Sequence, residues 1–120
     1  MKDLLKEFSE LKIEGLEPRI ESYGKTLFVS SNDDNIGYVI DTYSSDIHNA
    51  DCIQFIKEFL IEKKGYGISI YSEHEAVTVQ IYSIQFDTFI VRVGRIDNSL
   101  NPETECFLRA VIGAWKKENE

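Results

Sequence analysis

The chain has 120 residues, one domain's worth, of which 42% are hydrophobic and 12% aromatic; that content fills a core without metal or disulfide staples and excludes global disorder. Its 21 acidic and 13 basic side chains leave a formal net charge of −8, which argues against duplex nucleic acid as a partner, because such binding needs cations that displace phosphate counterions. A single small phosphate ligand stays open, since a few local Arg or Lys suffice for it.

Residues 2–12 set Leu4, Leu5, Phe8 and Leu11 at helical spacing, predicting a short amphipathic helix that Gly15 and Pro18 bring to an end. Arg19–Tyr23 and Thr26–Ser30, joined by Gly24-Lys25, read as a β-hairpin. Asn32-Asp33-Asp34-Asn35 is turn chemistry, and Ile36–Thr42 reads as a third strand. Ser44-Ser45-Asp46 opens the longest helix, with any of the three side chains available as its cap. That helix runs to Lys64 with Ile47, Ala50, Ile53, Ile56, Phe59 and Leu60 on one stripe, and Gly65 stops it. Lys63 and Lys64 complement the negative end of its dipole.

Three more strands follow, Gly67–Ser72, Ala76–Ile84 and Thr88–Gly94, linked by the polar turns Glu73-His74-Glu75 and Gln85-Phe86-Asp87. Short links between neighbours imply antiparallel pairing. Asn101-Pro102-Glu103 then starts a last helix, with Asn101 as its expected cap and Phe107, Leu108, Val111, Ile112 and Trp115 as its apolar stripe. The expected fold is therefore α+β, a largely antiparallel sheet layered with helices in the order αβββαβββα. With no repeat, low-complexity tract or linker in it, the chain reads as one domain over residues 1–120.

The charged N-terminus Met-Lys-Asp-Leu-Leu-Lys-Glu does not read as a secretory leader, so none is expected, and no apolar run reaches membrane-spanning length. Cys52 and Cys106 both fall in apolar-periodic stretches, so packed, reduced thiols in the cytoplasm are expected.

Tyr43-Ser44-Ser45-Asp46-Ile47 leading into a long helix, Gly65-Tyr66 before a strand, and the ending Asn101-Pro102-Glu103-Thr104-Glu105-Cys106-Phe107-Leu108-Arg109-Ala110 resemble the phage ABA sandwich domain family. The resemblance covers roughly Ile36 to Lys116, and the N-terminal hairpin is additional to it. It implies a phage or prophage gene, a sheet flanked by helices, and no catalytic residues to carry over. A counter-defence role in the bacterial host's cytoplasm follows as an expectation from such a gene context.

Chemistry-bearing motifs are sparse. His48 and Cys52 stand four apart on the central helix, but zinc needs three or four ligands and no second pair exists. His74 sits alone in a turn. No Gly-x-Ser-x-Gly elbow and no phosphate loop is present. No metal or cofactor is expected. Cys106, in the first turns of the last helix, is the single thiol worth weighing as a hydrolase nucleophile, against the plainer reading of a buried structural thiol.

The later strands offer more. Alternation places Val77, Val79 and Ile81 on one face with Ile68, Ile70, Phe89, Val91 and Val93, and leaves Ser69, Tyr71, Thr78, Gln80, Tyr82 and Arg92 on the other. Arg95 follows just beyond. Such a face is a solvated sheet surface, a self-association or host-protein surface, or a platform for a small nucleotide. The expected function is non-enzymatic binding through Tyr71, Tyr82, Arg92 and Arg95, as a homo-oligomer or against a host defence protein. The alternatives are a sponge for a cyclic-nucleotide or ADP-ribose-type signal, with Arg92, Arg95 or Arg109 on its phosphates, and a cysteine hydrolase using Cys106.

Overall fold

Hydrophobic spacing switches from helical to alternating and back as the periodicity predicts, and the elements follow it in the order αβββαβββα. The computed structural model describes residues 1–31, 34–73, 76–84, 88–94 and 99–119. Helix α1 is Lys2–Glu10, followed by β1 (Leu16–Glu21), β2 (Thr26–Ser31) and β3 (Asp34–Asp41). Helix α2 (Asp46–Lys64) leads to β4 (Tyr66–Glu73), β5 (Ala76–Ser83) and β6 (Thr88–Gly94), and α3 (Pro102–Glu118) closes the chain. The turn residues Asn32, Asp33, His74, Glu75, Gln85, Phe86 and Asp87 lie outside the described residues, as does Arg95.

The strands form two three-stranded antiparallel sheets, β1-β2-β3 and β4-β5-β6, where the sequence suggested a single sheet. Short turns pair each strand with its neighbour, while the 19-residue α2 carries the chain from the first sheet to the second. The molecule thus reads as two βββα units preceded by α1. Helix α1 packs on β1, β2 and α3; α2 lies against β3, β4 and α3; α3 lies across β5 and β6.

Several boundaries differ from expectation for local reasons. Strand β1 starts at Leu16 and runs through Pro18, which is tolerated because β1 is an edge strand and loses no ladder bond there. The hairpin connection is longer than Gly24-Lys25, taking in Ser22 and Tyr23 as well, and Ser22, Tyr23 and Gly24 stand at φ 53°, 58° and 87°. Glycine alone adopts that region freely, so Ser22 and Tyr23 carry a steric cost that full solvation of the Tyr23 ring does nothing to relieve.

Helix α2 buries Asn49, Cys52, Ile53, Ile56 and Leu60. Ile47, expected on the buried stripe, is 85% exposed, and Ala50 is exposed as well. An amide, Asn49, takes the first core position instead. Helix α3 is the most enclosed of the three helices, with Cys106, Phe107, Leu108, Ala110, Val111, Ile112 and Ala114 all buried. Gly65 ends α2 in the left-handed conformation, as read from the sequence.

Candidate functional site

The register of the second sheet fixes its two faces. Ile68 pairs with Ile81, Ile70 with Val79, Ile81 with Val91 and Val79 with Val93. These residues form the face that α3 covers at β5 and β6 and α2 meets at β4. Burying such a branched aliphatic side chain stabilises the fold by about 1.5–3 kcal/mol, which fixes the register, because a one-residue slip would turn each of them to solvent.

The opposite face is built from two cross-strand rows. Ser69 lies beside Gln80, and Gln80 beside Arg92; Tyr71 lies beside Thr78, and Thr78 beside Gly94. Gly67 and Tyr82 are a third pair, and a methyl group on Gly67 would run into the Tyr82 ring. The glycine therefore lets the ring lie flat on the sheet. Tyr71 is 54% exposed, Tyr82 39%, and Arg92 is exposed. Among the described residues no acidic side chain pairs with Arg92. Helix α1 packs on the first sheet and α3, and not as a cover on this face. Tyr71, Tyr82 and Arg92 are thus brought onto one open surface, as alternation predicts.

Arg109 is not on that surface. It sits on α3, which packs on the apolar side of the same sheet, and its guanidinium is 2.9 Å from Glu105. Arg95 lies outside the described residues.

Cys106 is fully buried, and its thiol donates to the Val93 carbonyl at 3.1 Å. Burial, the largest effect on it, raises its pKa above the usual range. Burial also pushes Cys52 up to about 12. Burial of both thiols favours the protonated, packed form over an activated nucleophile. Under mild iodoacetamide at about pH 8, where an unperturbed cysteine reacts, we expect no alkylation of the native protein and double alkylation after unfolding, read by mass. A native mass shift confined to Cys106 would restore the nucleophile reading. His48 is exposed while Cys52 is buried, and no group of three metal-ligating side chains occurs among the described residues.

A buried polar junction was not visible in the sequence. The Asp46 carboxylate, at the start of α2, accepts from the backbone N–H groups of Glu103 (3.0 Å) and Thr104 (2.9 Å) and from the Thr104 hydroxyl (2.7 Å). It therefore caps α3, the other helix. Neither Ser45 nor Asn101, the residues at the two N-cap positions, makes a side-chain cap bond of its own. Asn101 turns its amide back to donate to the carbonyls of Ser44 (3.0 Å) and Asp41 (3.4 Å). Asn49 accepts from the Asp41 N–H (3.0 Å) and donates to the Asp41 carbonyl (3.2 Å) and the Thr104 hydroxyl oxygen (3.4 Å). The expected local caps are thus replaced by long-range ones that lock the end of β3 and the starts of α2 and α3 together.

No family model, curated protein or solved structure matches the chain. No helix among the described residues is long and apolar enough to cross a membrane.

Proposed function

We propose that the chain is a non-enzymatic binding protein whose contact surface is the outer face of β4–β6. The observation that carries this reading is the convergence of Tyr71, Tyr82 and Arg92 on a helix-free face, two of them aromatic and the third a cation without a described partner. Tyr and Arg are enriched at interface hot spots: Tyr buries large area at little entropic cost, and Arg brings a planar fork of hydrogen-bond donors. The resemblance around Tyr43–Ile47 and Asn101–Ala110 supports a phage or prophage accessory role in evading host defence, through self-association or a host protein. A nucleotide sponge draws less support, since Arg109 and Arg92 stand on opposite sides of the sheet.

Light scattering over a concentration series tests the self-association form of this reading. The wild type is expected to form a dimer or higher oligomer, and Tyr71→Ala with Arg92→Glu to weaken it by about tenfold or more, as hot-spot truncation does. Both side chains are exposed, so the variants keep the fold. A strict monomer at all concentrations discards self-association; an oligomer indifferent to both substitutions moves the interface off this face.

A further inference from the structure

Beside β3, far from the face just described in sequence and carried on the other sheet, runs a groove of about 350 Å³ lined by Tyr38, Asp51, Gln54, Phe55 and Glu58. We propose that this groove and the adjoining edge of β3 hold an extended, arginine- or lysine-bearing segment of a partner protein.

The walls of the groove define the chemistry. Tyr38 of β3 and Phe55 of α2 stack at 4.6 Å between ring centroids, with 23° between their planes. Both rings are half-buried, while Asp51, Gln54 and Glu58 are exposed. Asp51, Phe55 and Glu58 fall on one stripe of α2, so the two carboxylates flank the aromatic pair about 10 Å apart along the helix axis. Gln54 donates to the Glu58 carboxylate at 2.8 Å, which holds that carboxylate in place. Among the described residues, no basic side chain lines the groove. A guanidinium or ammonium laid over an aromatic ring between two carboxylates gains cation–π and charge-assisted hydrogen bonds together. The net charge of −8 adds long-range attraction for a basic partner.

The backbone beside the groove defines the shape. Strand β3 is an edge of its sheet. The Thr42 N–H donates to the Lys25 carbonyl, which makes Thr26 and Asp41 a non-hydrogen-bonded pair of the β2–β3 ladder. By the same alternation, Phe28–Val39 and Ser30–Gly37 are non-hydrogen-bonded pairs, so Val39 and Gly37 turn their N–H and C=O groups away from β2. At Asp41 the Asn49 side chain occupies that edge, bonding both N–H and C=O as a residue of a neighbouring strand would. At Val39 and Gly37 no described group does. Asp41 meets Asn49 and Tyr38 meets Phe55, so β3 and α2 run antiparallel side by side, with the groove between them. An added strand at this edge directs alternate side chains toward the groove.

The test is a nuclear magnetic resonance titration of the isotopically labelled full chain with two synthetic peptides of about eight residues, a length that spans the edge when extended. One carries two arginines at alternate positions, which a strand places on one face. The other has the same composition with the arginines adjacent, which a strand places on opposite faces. We expect shifts confined to Gly37–Val39 and Asp51–Glu58, and about tenfold tighter binding of the alternate peptide, the scale of one lost charge-assisted contact. Asp51→Asn with Glu58→Gln should weaken it about tenfold or more, while Tyr71→Ala leaves it unchanged. Shifts spread over the whole acidic surface, equal binding of the two isomers, or an unaffected double variant each overturn the proposal.

Discussion

Asp46→Ala is expected to lower the unfolding free energy by about 3 kcal/mol, more than removal of an ordinary cap, because this carboxylate bonds two backbone N–H groups and a hydroxyl at once. The N–H groups of Glu103 and Thr104 belong to the first turn of α3, where no intrahelical acceptor exists. The carboxylate also faces the positive end of the α3 dipole. Thr104→Val, which removes only the hydroxyl, should cost about 1 kcal/mol, and the double variant should cost less than the sum, because the two groups share a bond. Urea unfolding monitored by circular dichroism measures all three. A loss for Asp46→Ala within about half a kcal/mol, the range of ordinary surface changes, would mean that α3 is not held by this contact.

The same junction gives a pH signature. The Glu103 carboxyl lies above the usual range, because of its burial first and the Asp46 charge second, against the opposing pull of Lys57. The folded state therefore holds this proton more tightly than the unfolded chain does. Its contribution favours folding in acid and is lost as pH rises through the folded value. In Asp46→Ala this dependence should shrink but persist, since burial is the larger cause.

The order and identity of the elements were legible because each has a clean local signal. Gly65 stops α2, Pro102 opens α3, and alternation separates Ile68, Val79 and Ile81 from Ser69, Gln80 and Arg92. The candidate face followed directly, since strand alternation assigns faces without knowledge of tertiary contacts. What was not legible depends on partners distant in sequence. Asn49 looks like a surface residue by polarity and is buried because Asp41 and Thr104 satisfy its amide. Asp46 looks like a cap for its own helix and serves another. The division into two sheets, and the groove where Tyr38 meets Phe55, come from the path of α2, which no local pattern encodes. Ile47 shows the converse error: its hydropathy predicts burial, but the stripe that packs is set by Asn49, Ile53, Ile56 and Leu60.

The junction also ties the two candidate surfaces to one scaffold. Asn49 anchors the end of β3 beside the groove, and Asp46 anchors α3, on which the second sheet rests. Loosening either contact should therefore disturb a binding surface without touching a residue in it, which makes stability measurements a necessary control for any loss of binding.

Asn49→Asp is expected to be the most damaging single-atom exchange in the chain, about 4 kcal/mol near neutral pH, the scale of an uncompensated buried charge. Asn49 is 1% exposed, and its amide nitrogen donates to the Asp41 carbonyl and the Thr104 hydroxyl oxygen. An aspartate puts a charged acceptor against those two acceptors. The Thr104 proton cannot relieve it, because that hydroxyl already donates to Asp46. Asn49→Ala, which leaves the Asp41 N–H and C=O without their partner but adds no charge, should cost about 2–3 kcal/mol. The sign of the pH dependence separates the two variants. The introduced carboxyl has a folded pKa above its unfolded one, so the folded variant is favoured in acid and loses stability as pH rises through the folded value. Once protonated, it can donate to the Asp41 carbonyl and accept from the Asp41 N–H, restoring most of the asparagine pattern. Urea unfolding at about pH 4 and about pH 7, on either side of the expected titration, should therefore show the gap to wild type widening with pH for Asn49→Asp and staying nearly constant for Asn49→Ala. An Asn49→Asp loss independent of pH, or smaller than that of Asn49→Ala near neutrality, would show that water reaches this site and that the junction is not the dry, fully paired lock its geometry describes.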